Sequence, residues 1–209
     1  MTISNQFQSD RSIVPLLLSN LLTIAWALFE GWRIVDVLLV YWVQSIVIGY
    51  FNYRRIMDLK EFSTENFTIN DRQLDPTPET KKHVARMFAA HYGAFHALYL
   101  VFILSNDSGE ISLSSIGIIA CVVAFILNHH YSYRFNKERD SQRVPNIGTI
   151  MLFPYARILP MHLTIGLAAS VSGKSTKALL IFLLLKTGAD VIMHMVEHAD
   201  ARQKKASKV

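Results

Sequence analysis

Asp190, His194 and His198 stand at i, i+4 and i+8 near the end of a 209-residue chain. On a helix of about 3.6 residues per turn, each step of four drifts by only about 40°, so the three side chains form one stripe. Glu197 falls close to Asp190 by the same count, and Lys186 lies one turn to the other side. Two imidazoles at i, i+4 on one face are the helix half of many zinc sites. A carboxylate one turn away serves as a further ligand or orients an imidazole by a hydrogen bond. The plainer reading leaves Glu197 and His198 wet at a helix end and gives His194 a single interhelical hydrogen bond.

The stripe follows the run "ALLIFLLL", which reads as the first half of a membrane span. An ionisable group at the bilayer centre costs roughly 2.5–3.5 kcal/mol on insertion scales, so such groups turn toward a partner, a cavity or a site. Arg157 and His162 lie between Pro154 and Pro160 in "FPYARILPMH". Each proline lacks a backbone donor and disturbs the helix one turn earlier. The freed carbonyls must then face protein or water. Arg157 either pairs with Asp190 or holds an anionic substrate group in a bidentate contact. His91 and His96 are five residues apart, about 140° around a helix, so they point to different places. His91 is expected to share the site of His194, and His96 to make an interhelical hydrogen bond. The pair His129–His130, beside Asn128 and Tyr131, reads as interfacial anchoring before it reads as ligation.

The elements that must position these groups are apolar blocks. Hydrophobic residues make up 51% of the chain and charged residues 18%, and the apolar ones cluster in runs near the roughly 20 residues that a bilayer requires. We read spans at 13–30, 34–53, 84–105, 112–133, 148–170 and 177–199. The fold expected is an all-α polytopic membrane bundle of about six helices, residues 1–209 forming one membrane domain. Lys and Arg concentrate in the second-to-third connection (Arg54 to Lys82), the fourth-to-fifth (Arg134 to Arg143) and the tail (Arg202 to Lys208). The positive-inside rule then puts both termini in the cytoplasm. The net charge of +5 thus becomes a topology signal, and membrane lipids replace nucleic acid as the partner.

A helical rise of about 1.5 Å per residue puts His194, His91, Asn20, Arg157, Gln44 and Asp190 roughly 9–15 Å from the cytoplasmic ends of their spans. His96, His162 and Lys186 fall deeper, near 18–21 Å by the same approximate count. Six polar residues from five spans in one slab argue for a shared polar interior. The hydrophilic insert at 56–82, within a cytoplasmic loop of about 54–82, reads as a mobile loop, or as a short interfacial helix near Arg54 and Arg55. The single cysteine, Cys121, excludes an internal disulfide. No cleavable signal is evident in "MTISNQFQSDRS". "SVSGKST" has Ala168 where a phosphate-binding loop needs Gly, and no strand precedes it.

The segments "LLVYWVQSIVIGYFNYRRI", "HYGAFHALYLVF", "PYARILPMHLTIGL" and "LLLKTGADVIMH" occur in that order. With them the chain resembles the DUF6498 family of prokaryotic integral membrane proteins from about residue 14 to 198. The resemblance implies a membrane-helical fold in a prokaryotic inner membrane and marks polar positions, but it carries no activity. Gln44 follows the Tyr-Trp pair where the family pattern suggests an acidic residue.

Three functions fit these residues. The first is a zinc-dependent hydrolase acting on a lipid-like substrate. His91, His194 and His198 would be the metal ligands, leaving an open position for water. Asp190 would accept the water's proton and Arg157 would stabilise the oxyanion or a headgroup charge. The second is a small transporter or channel with midplane charges, where a homodimer would compensate for small size. The third is a haem-binding electron carrier using His91 and His162, which differ in depth by about 10 Å.

Overall fold

In a computed structural model, residues 13–69, 71–105, 116–155, 180, 183–188 and 191 are described. They are mostly helical and divide between two units, one of residues 1–37 and 159–209, the other of residues 38–158.

In the first unit, helix α1 spans Ile13–Phe29. Its end is set by Gly31, whose φ of 65° is a left-handed conformation that only glycine adopts cheaply. The Trp32 amide donates back to the Ala27 carbonyl at 2.8 Å, the six-to-one bond of a Schellman cap. The Glu30 carboxylate accepts the indole N–H of both Trp26 and Trp32, at 2.7 and 2.8 Å. Helix α2, Ile34–Asp58, starts here. Asp36 reaches back to accept the Arg33 amide at 2.9 Å, as the third residue of a capping box does. The inner face of α1 is polar, with Ser19, Asn20 and Thr23 buried. Residues 183–188 are helical, and Lys186 donates to the Asn20 side-chain carbonyl at 3.2 Å.

The second unit holds the rest of α2, helix α3 (Pro78–Ser105), helix α4 (Ile116–Ser141) and helix α5 over 147–155. Helix α3 begins where Thr77 accepts the Thr80 amide at 3.2 Å and Pro78 follows with its φ already helical. Asn146 caps α5 in the same way, accepting the Thr149 amide at 3.0 Å. Helix α3 buries Ala85, Phe88, Tyr92, His96, Tyr99 and Ile103, a stripe at helical spacing. Helix α4 buries Gly117, Ile118, Cys121, Phe125, His129 and Asp140.

The expected mobile loop is instead an ordered, hydrogen-bonded connection. Helix α2 continues to Asp58 and α3 starts at Pro78, which leaves 59–77 between them. Strands β1 (Thr68–Ile69) and β2 (Arg72–Gln73) pair antiparallel, Thr68 opposite Gln73. Asp71 turns the hairpin with a φ of 60°. Ser63 pins the connection to the start of α5, donating to Pro145 O at 2.9 Å and accepting from Ile147 N at 3.0 Å. Lys81 donates to Leu59 O at 2.7 Å and Asn146 to Glu65 O at 2.7 Å. Gly148 leaves room for Phe67, since a Cβ there would sit 2.6 Å from the Phe67 ring. These bonds and the Phe67 contact tie the segment to α3 and α5.

Candidate functional site

Two histidines of α3 lie on opposite sides of the helix. Their spacing predicts the divergence, and the structure decides which one faces inward. His96 is 1% exposed. Its Nδ1 lies 2.8 Å from the Tyr92 carbonyl one turn back. A carbonyl only accepts, so Nδ1 carries the proton and Nε2 bears the lone pair in the neutral ring. That Nε2 is buried and has no hydrogen-bond partner among the described residues.

Three contacts hold this imidazole. Its face stacks on the Tyr92 ring at 4.2 Å and 23°. Its edge meets the Tyr99 ring at 5.9 Å and 90°. Its own backbone carbonyl accepts the Trp42 indole N–H from α2 at 2.8 Å. Tyr92 is fixed in turn by donating its hydroxyl to Ser45 O at 2.9 Å. Gly49 makes that approach possible, because a Cβ would lie 2.5 Å from Tyr92 Cε1. The interhelical bond expected of His96 therefore belongs to its main chain, while the ring bonds within its own helix.

His91 lies on the exposed side of α3. Its Nδ1 is 2.9 Å from the Tyr155 hydroxyl on α5. Its ring meets Phe95 edge-on at 4.9 Å. A phenol both donates and accepts, so this bond allows either tautomer. Ligation through Nε2 requires the form in which Nδ1–H donates to Tyr155.

The other expected polar groups divide in two. Gln44 is buried on α2, and Asn20 and Lys186 are buried and hydrogen-bonded to each other within the first unit. His129 is buried and His130 exposed, its ring against Phe51 at 5.8 Å. Arg157, Asp190, His194, His198, His162 and Glu197 lie outside the described residues, as does "SVSGKST". Among the described residues, no cluster of three His, Cys, Asp or Glu side chains that could hold a metal ion is present.

Sequence reasoning missed the ionic lock at the basic end of the second unit. Arg55 of α2 and Asp140 of α4 form a bidentate pair, Nε–Oδ2 at 2.6 Å and Nη2–Oδ1 at 3.0 Å. Their side chains are 9% and 4% exposed. Arg143 adds a contact to the same carboxylate at 3.3 Å. Asp58 accepts from Lys137 at 2.7 Å and from the Tyr133 hydroxyl.

Fold and site together define a mostly helical protein with three helices, α2, α3 and α4, long and apolar enough to cross a membrane among the described residues. The chain belongs to the family of unknown function DUF6498, whose family model matches residues 2–207. No curated protein and no solved structure matches it.

Proposed function

We propose that the chain is a multi-pass integral membrane protein of six spans with both termini on the cytoplasmic side of a prokaryotic inner membrane, and that it is a zinc-dependent hydrolase of a lipid-like substrate. The ligand set inferred from spacing is His91, His194 and His198, with Asp190 as proton acceptor and Arg157 as the group that meets developing negative charge. The observation that supports it is His91 itself. Tyr155 engages one ring nitrogen and leaves the other for a metal, the usual arrangement of a ligating imidazole and its orienting partner. Elemental analysis of detergent-purified protein tests the reading. One zinc per chain and a colourless solution are expected. A metal-free folded protein contradicts it, and a haem absorption band replaces it with the electron-carrier reading.

A second reading, ion or proton transport, is favoured by the buried polar groups Lys186 and Asn20 and by the His96 Nε2, which has no hydrogen-bond partner among the described residues. Buried ionisable groups in spans commonly mark ion pathways. Under that reading the purified protein is metal-free and moves ions in vesicles.

A further inference from the structure

The outer seam between α2 and α4, at the basic end of the second unit, is unused by either reading. On α4, His130, Tyr133, Arg134 and Lys137 stand at i, i+3, i+4 and i+7 and so share a face. On α2, Ile46, Tyr50, Arg54 and Asp58 form a ladder at steps of four, with Phe51 beside Tyr50. The two faces are joined. Phe51 meets His130 at 5.8 Å and Tyr133 at 5.4 Å. Asp58 binds both Lys137 and Tyr133, and the Lys137 ammonium lies 5.9 Å from the centre of the Tyr133 ring.

Lys137 engages the Asp58 carboxylate and Arg54 stands one turn before it on α2, while Arg134 follows Tyr133 on α4, one turn before Glu138. Arg54 and Arg134 are exposed. Arg54 makes only a long 3.4 Å bond to the Tyr50 hydroxyl among the described residues. Toward the other end, both faces turn apolar and stay exposed: Ile46 on α2, and Val123, Ile126 and Leu127 on α4. At about 1.5 Å per residue, Arg54 lies about 30 Å from the start of α2 and Lys137 about 32 Å from the start of α4. One hydrocarbon thickness, about 30 Å, separates the charged level from the far ends. Tyr50 and Tyr133 then fall at the headgroup level, where amphipathic rings collect.

A charged cradle at headgroup depth, continued by an exposed apolar face, fits an amphiphile with an anionic head. We infer that this seam binds an anionic phospholipid, its phosphate on Arg54 and Arg134 and its acyl chain along Ile46, Val123, Ile126 and Leu127; the inference rests on the membrane reading above. Lys137 is the positioning residue, held by Asp58 so that its charge stays at the seam. A zwitterionic headgroup brings an ammonium into the same cluster of cations and gains less. An acidic protein segment lacks the chain that would cover the apolar face.

Full-length protein in neutral detergent, exchanged against phosphatidylglycerol or phosphatidylcholine and read by native mass spectrometry, tests this. Phosphatidylglycerol is expected to be retained about tenfold better, as two exposed arginines at a membrane surface allow. Arg54→Gln with Arg134→Gln should abolish the preference. Lys60→Gln with Arg72→Gln, exposed cations on the 59–77 connection, should leave it intact. Equal retention of the two lipids overturns the inference, as does a preference that survives the arginine pair or falls equally in the control. Carbonate washing separates the two levels of failure. Wild type washed out of membranes defeats the membrane reading, whereas wild type that stays but shows no headgroup preference defeats this inference alone.

Discussion

Replacing Asp140 with Ala is expected to destabilise the protein by about 3–5 kcal/mol, the cost of leaving a buried cation without its counter-charge. Asp140 receives two bonds from Arg55 and one from Arg143, and its side chain is 4% exposed. The pair joins α2 to α4 across 85 positions of sequence, beside the Asp58 contacts to Lys137 and Tyr133. Arg55→Leu should cost less, because Arg143 still reaches the carboxylate at 3.3 Å. The double variant Arg55→Leu/Asp140→Leu should be less damaged than either single change, since no buried charge is left over. Denaturant unfolding in detergent measures all three. A loss under about 1 kcal/mol for Asp140→Ala, the range of exposed pairs, would mean that water reaches the lock.

His194→Ala is expected to abolish metal binding outright, and His91→Ala to do the same. His96→Ala should leave the metal content unchanged, because its imidazole is enclosed by Tyr92 and Tyr99 and lies away from His91 around the helix. Metal per folded chain, with folding checked by helical circular dichroism, gives the comparison. If His194 is only a structural hydrogen-bond partner, the wild type carries no metal and the substitution costs about 1 kcal/mol or less.

The apolar blocks located the described helices well. The expected 13–30 and 34–53 correspond to Ile13–Phe29 and Ile34–Asp58. The expected 84–105 and 112–133 correspond to Pro78–Ser105 and Ile116–Ser141. The differences gather at the basic ends. Hydropathy marks the thickness of a bilayer, whereas a helix ends where caps and ion pairs end it. Thr77 with Pro78 starts α3 before its apolar run, and Asp140 holds the polar end of α4 against Arg55.

The inward position of His96 was legible in its neighbours. Ala85, Phe88, Tyr92, Tyr99 and Ile103 share a stripe that passes through position 96 and misses 91. Estimated depth paired His91 with His194, which lies outside the described residues. The Arg55–Asp140 lock had no local signal, because both residues sit among charges that the positive-inside rule already explains. Order in 59–77 was hidden for a related reason: its partners, Pro145 to Ile147, are far away in sequence.

Sidedness tests the multi-pass membrane architecture most directly. Cys121 is buried, so introduced cysteines report cleanly to an impermeant thiol reagent in intact cells and in inverted vesicles. Asp71→Cys on the hairpin and Lys205→Cys on the tail are expected to react from the cytoplasmic side, and Lys174→Cys from the opposite side. Labelling of positions 174 and 205 from the same side would contradict the six-span architecture and the inner-leaflet site built on it.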